Sequence, residues 1–130
     1  MITYKHQDNE QDWHAIREAV FVKEQGFQNE FDDIDSYAHH VTVYVDGQAA
    51  GCGRCFLQDD TYVIGRLAVL APFRHQHLGS KILQELEDEI LRQGGHTAVL
   101  DAQCRAIPFY EENGYELCGL SLIHISVTET

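Results

Sequence analysis

Apolar positions along this chain switch between a period of two and a period near 3.6, and the switches mark its elements. Alternation over Ile2 to Lys5 predicts a short strand. Trp13, Ile16, Val20 and Phe21 then share one helical face, and Asp8 with Gln11 three positions later resembles a capping box. A helix from about Asn9 to Gln25 follows, with Gly26 as its stop. The next segment, FQNEFDDIDSY (27–37), sets acidic residues around aromatics and Ile34 without a clear period. It reads as an ordered loop or a broken second helix. Strands are expected at His39 to Val45, Gln48 to Leu57 and Tyr62 to Leu70, joined by the turns Asp46-Gly47 and Asp59-Asp60 into an antiparallel meander.

Helical spacing returns at Leu78, Ile82, Leu86 and Ile90, with Leu83 beside them and Glu85, Glu87, Asp88 and Glu89 mostly outside; Gly94-Gly95 closes a helix of about Leu78 to Gln93. A buried strand at His96 to Ala102, a short helix at Ile107 to Asn113 and strands at Tyr115 to Gly119 and Leu122 to Val127 complete the order. The strand–helix–strand unit between Tyr62 and Ala102 predicts a parallel crossover. The expected fold is therefore α/β: a mixed sheet of six to seven strands with helices on both faces. With 130 residues and neither a linker nor a repeat, the chain is expected to be one domain over residues 1–130.

Charge narrows the function. Nine Lys plus Arg against 21 Asp plus Glu leave a net charge of -12, a field that repels nucleic acid and anionic membranes and attracts small cations. Neither a signal peptide nor a run near the ~20 apolar residues of a membrane span is seen, so a cytoplasmic protein is expected. Cys52, Cys55, Cys104 and Cys118 are too scattered for a disulfide scaffold. Cys52 and Cys55 make a CxxC, but on a strand residues i and i+3 point to opposite faces, so no metal or redox pair is expected. The eight histidines show no HExxH spacing, and no metal site is expected from them.

The most informative stretch is YVIGRLAVLAPFRHQHLGSKILQELEDEILRQ (62–93), where a strand runs through a basic loop straight into a helix. That order aims unpaired backbone N–H groups and the positive end of a helix dipole at one spot, an arrangement suited to phosphate. A plain nucleotide-phosphate reading is weak, because neither GxxxxGK[ST] nor GxGxxG is present.

The order strand, RHQHLGS (74–80), long helix, strand and IPFYEENGY (107–115) resembles the GNAT superfamily of acyl-coenzyme A dependent N-acetyltransferases, whose phosphate loop reads Arg/Gln-x-x-Gly-x-Gly/Ala. VFVKEQGFQNEFDDID (20–35) followed by AHHV (38–41) resembles a small bacterial subgroup of it. The resemblance implies that Leu67, Ala68 and Val69 pair their backbone with the pantetheine arm of acetyl-CoA, and that the loop Arg74, His75, Gln76, His77, Leu78, Gly79 and Ser80 cradles the pyrophosphate, with Arg74 or Lys81 complementing its charge. One departure stands out. His77 occupies the place of the first glycine, where a side chain crowds the phosphates or strains a backbone that needs positive φ, or, protonated, adds a phosphate contact.

The same resemblance places Tyr110 near the thioester sulfur as the acid for the leaving thiolate, its alternative role being core packing beside Phe109. Glu30, Asp35 and Glu24 lie where the family's acceptor-side loop runs and are candidates for the base, with Glu30 preferred; each is otherwise a solvated surface carboxylate. Arg66 pairs with such a carboxylate or with a strand neighbour. His39 and His40 face opposite ways, so at most one lines the cleft, and a packed histidine is the plainer reading. The expected activity is direct acetyl transfer to the primary amine of a small, cationic acceptor. The competing expectation is a non-catalytic acyl-CoA-binding or interaction module. The closely spaced last strands offer an edge for a second copy, which would give a homodimer.

Overall fold

The computed structural model describes residues 1–7, 9–27, 31–101, 107–117 and 122–126. Among them run β1 (Ile2–His6), α1 (Glu10–Arg17) continuing as a π-helical segment (Glu18–Glu24), a 3-10 turn (Asp33–Ser36), β2 (His39–Val45), β3 (Gln48–Gln58), β4 (Thr61–Val69), a second 3-10 turn (Ala71–Phe73), α2 (Leu78–Arg92), β5 (Thr97–Asp101), α3 (Ile107–Glu112), β6 (Glu116–Leu117) and β7 (Leu122–Ser126). The strands form one seven-stranded sheet in the order β1-β2-β3-β4-β5-β7-β6. Only the β4–β5 ladder is parallel. The mixed α/β sheet and the meander are as the hydrophobic pattern predicts. The turns Asp46-Gly47 and Asp59-Asp60 carry the positive φ angles that two-residue hairpin loops need.

Helices cover both faces. On one, Leu78, Ile82, Leu83, Leu86 and Ile90 of α2 bury against Val41, Val43, Ile64, Ala98 and Leu100. On the other, Trp13, Ile16, Val20 and Phe21 pack with Cys52 and Ala68. Cys55 belongs to the α2 side, so the two thiols of the CxxC diverge across the sheet, as the strand period requires. Neither is in a disulfide and both are buried, and burial pushes the Cys55 thiol up to about 12. The Cys55 thiol is therefore not a thiolate near neutral pH.

Asp8, the expected cap, lies outside the described residues. The position preceding α1 is Asn9, whose amide donates to the Tyr44 hydroxyl (3.1 Å) instead of capping the helix. The broken-helix segment resolves into the Asp33–Ser36 turn, closed by a reciprocal capping box between Asp32 and Asp35.

Two features of β4 shape the site. Its pairing with β5 covers Tyr62, Val63 and Ile64 and then stops, so beyond Ile64 the strands diverge. Its ladder with β3 is irregular at the same level: Gly65 faces Arg54 and Ala68 faces Cys52, so Arg66 and Leu67 together oppose Gly53. This bulge puts Arg66 at φ 54, a left-handed conformation costing about 1–3 kcal/mol in a non-glycine residue. Gly53 is required opposite it, because a Cβ there would stand 2.9 Å from side-chain atoms of Leu67, Ile82 and Leu86. The bulge turns β4 away from β5, and an open wedge results.

Candidate functional site

A cleft of about 560 Å³ lies at the wedge. Its walls include Leu67, Ala68 and Val69 of β4, the segment from Phe73 into the first turn of α2, and Phe109 and Glu112 of α3. Lys81 is the first residue of α2 to bond back along the helix, its amide donating to His77 O at 3.2 Å. The preceding amides of the first turn, at Leu78, Gly79 and Ser80, therefore have no place in the helical ladder and point out of its positive end. Gly79 is small for a packing reason: a Cβ would sit 3.1 Å from the Phe109 ring.

His77 is the N-cap residue of α2, with φ 61 and ψ 22. The position filled by glycine in the family motif thus does adopt the left-handed conformation, and His75 does so as well, at φ 67. Two histidines bear backbone strain in the four-residue loop 74–77, which fits a segment shaped for binding.

Arg74 is committed differently from the expectation. Its guanidinium forms a two-pronged pair with Glu24 (2.7 Å and 2.7 Å), and its Nε donates to the Val69 carbonyl (2.9 Å). It braces the loop against the end of the first helix. Tyr110 is buried in the main core, its ring 5.0 Å from that of Phe109 and 5.9 Å from that of Tyr115.

A second cleft, of about 570 Å³, borders the preceding stretch of β4: Thr61, Val63, Gly65 and Arg66, with Val99, Asp32, Arg54 and Asp59. Its wall is a charge network that the sequence order does not reveal. Arg17, 1% exposed and lying over the rings of Trp13 and Phe31, donates to both oxygens of Asp35 (2.6 and 3.2 Å). Arg54 bridges Asp35 (2.7 Å) to Asp32 (2.8 and 3.1 Å), and Arg66 reaches Asp32 at 3.5 Å. Hydrogen bonding from Arg54 holds the Asp32 carboxyl below the usual range, against its own burial. Burial pushes Asp35 up, but Arg17 and Arg54 together outweigh it and hold it low. Arg54 Nε is buried without a partner among the described residues.

Of the base candidates, Asp35 is clamped by two guanidinium groups that hold its carboxyl low, which makes it a poor proton acceptor, and Glu24 is paired with Arg74. Glu30 lies outside the described residues, as do Cys104 and Cys118. His40 stacks on Trp13 (centroids 4.0 Å apart) and bonds through Nε2 to the Asp35 carbonyl; burial holds its pKa down, so the ring is a packed neutral group. His39 faces the other way, toward α2 and His6.

The sequence profile of the acetyltransferase (GNAT) family matches residues 6–115. The chain belongs to that family. It is 32% identical over 115 residues to YjcF, an uncharacterized N-acetyltransferase of Bacillus subtilis, a match covering 87% of this chain and 82% of the relative. Its fold is similar to a crystallised Lactobacillus plantarum protein assigned as an N-acetyltransferase, with TM-score 0.89, 22% identity and 98% and 99% of the two chains covered. An aminoglycoside 6′-N-acetyltransferase complexed with coenzyme A is also similar, with TM-score 0.81, 13% identity and 98% of each chain covered. The chain is thus an acyl-CoA dependent GNAT acyltransferase, and the cleft at the β4–β5 wedge coincides with the strand and loop that the motif singles out. No described helix is long and apolar enough to cross a membrane.

Proposed function

We propose that this single-domain GNAT protein transfers the acetyl group of acetyl-CoA to the primary amine of a small cationic acceptor. The observation that carries the reading is the coincidence, in one cleft, of unpaired helix-start amides and a strand released from its neighbour. The amides of residues 75–80 suit a pyrophosphate, and residues 65–69 offer backbone groups to the amides of a pantetheine arm. A neutral amine attacks the thioester carbonyl, a β4 backbone N–H at Leu67 or Val69 stabilises the oxyanion, and the C–S bond breaks as Tyr110 gives its proton to the thiolate. The amine's proton passes to Glu30, directly or through water. Attack is direct, with no covalent enzyme intermediate.

The acceptor reading rests on the net charge of -12, which favours approach of cations, and on the second cleft, where Asp59 offers a carboxylate. An aminoglycoside is the acceptor of one structural neighbour, and a polyamine or aminosugar is of the same chemical class. We further propose that the protein is cytoplasmic and pairs as a homodimer through a sheet edge. Thermal-shift titration with acetyl-CoA, CoA and ATP, followed by thiol release with a panel of polyamines and aminosugars, tests the assignment. Stabilisation by both CoA forms and turnover with a cationic amine are expected. Stabilisation by ATP alone would overturn it, and tight CoA binding with no transfer to any amine would identify a binding module instead.

A further inference from the structure

Away from both clefts, two histidines far apart in sequence meet at the β1–β2 end of the sheet. His6 stands opposite Val41 in the β1–β2 ladder, and His39 is two residues before Val41, so both rings lie on the face that α2 covers. His6 Nδ1 approaches His39 Nε2 at 2.7 Å. Glu85 and Glu89, one helical turn apart on α2, complete the group. Glu85 Oε1 accepts from His6 Nε2 at 3.0 Å, and Glu89 Oε1 lies 3.8 Å from His39 Nε2.

We propose that His6 Nδ1, His39 Nε2 and a Glu89 carboxylate oxygen bind a divalent transition-metal ion, zinc by the chemistry of the donors, fastening the first two strands to α2. The three ligand atoms lie within 4.8 Å of one another. A tetrahedral site with bonds of about 2.0–2.1 Å sets its ligands roughly 3.3 Å apart, so the histidines separate by about half an ångström, and the carboxylate closes by about that much on His39 and by up to roughly 1.5 Å on His6. Two imidazoles and one carboxylate suit zinc better than calcium or magnesium. Glu85 supplies the orienting partner such sites use: its carboxylate accepts a hydrogen bond from His6 Nε2–H, which leaves Nδ1 with its lone pair toward His39. Glu89 is itself held by Arg92 Nε (2.9 Å) and Gln93 (2.8 Å); Arg92 is 57% exposed and is free to move into solvent when a cation arrives. His6 and Glu85 are 30% and 27% exposed, which gives the ion an entry path and room for water as the fourth ligand.

Residue spacing does not point to this ion, because HExxH is a signature of ligands on one helix and here they come from three elements. The ion is structural and takes no part in acetyl transfer: Glu85 and Glu89 lie about two and three turns beyond the cleft along α2.

Untagged protein stripped with EDTA and titrated calorimetrically with ZnCl₂ at pH 7.5 is expected to bind one equivalent per chain. His6→Ala, His39→Ala and Glu89→Gln each weaken binding by more than about 100-fold, and Glu85→Gln by about 10- to 100-fold, while His14→Ala and His96→Ala leave it unchanged. Co²⁺ on the wild-type protein gives the strong visible band of a tetrahedral site, a readout that needs no variant to fold. A pale octahedral Co²⁺ spectrum, no calorimetric binding, or binding that survives His6→Gln with Glu89→Gln in a protein folded by circular dichroism would overturn the proposal.

Discussion

The two clefts along β4 are built on opposite principles. The one at the wedge is made of main chain: helix-start amides, a strand without its neighbour, and loop residues at positive φ. The one at the earlier stretch of β4 is made of side-chain charge, with three arginines and two aspartates drawn from four separate elements. Main-chain recognition tolerates side-chain change and is written locally. Charge networks depend on every member, because a buried ion left without its partner is costly.

The sharpest way to break that comparison is Asp35→Ala. It leaves Arg17 and Arg54, 1% and 3% exposed, short of a carboxylate, and should cost about 3–5 kcal/mol in urea unfolding. A loss under 1 kcal/mol would mean the network is not under electrostatic strain. Next is Tyr110→Phe, which should lower turnover by about 10²-fold or more, worth about 2.7 kcal/mol, with CoA affinity kept in calorimetry. Unchanged turnover would return Tyr110 to a packing role.

Gly79→Val should follow, by pressing a branched side chain onto Phe109: about 1–3 kcal/mol of stability and at least tenfold in CoA affinity. The smallest change is His77→Gly. It removes a left-handed histidine, gaining roughly 1 kcal/mol in the native state against a similar entropic loss, so the melting temperature should stay nearly fixed with CoA affinity equal or higher. A tenfold loss of affinity would instead assign the imidazole a phosphate contact.

Acid separates the regions too. Asp32 and Asp35 have folded-state pKa values below their unfolded ones, so their stabilisation is complete above about pH 4 and is lost as pH falls through the lowered values. Urea midpoints measured from pH 6 downward should fall steeply below that point in the wild type and less steeply in Asp35→Asn.

What was legible in the sequence follows the same division. The wedge loop could be read because strand, loop and helix are consecutive, and the facing of Cys52 against Cys55 followed from the strand period alone. His77 at the glycine position even signalled its left-handed backbone. The Arg54 bridge could not be read, since nothing local ties residue 54 to Asp32 and Asp35. For the same reason the pairing of Arg74 with Glu24 could not be read: only the fold brings the two together. His6 and Glu89 likewise meet only when β1 and α2 are laid on one face.

The central claim is that main-chain amides of residues 75–80 hold a pyrophosphate. Titrating CoA into ¹⁵N-labelled protein tests it most directly: the amide resonances of His75 through Ser80 should move together and saturate, while those of Arg54 and Asp59 move little. Saturable binding that shifts the Arg54 and Asp59 signals and leaves residues 75–80 in place would contradict it.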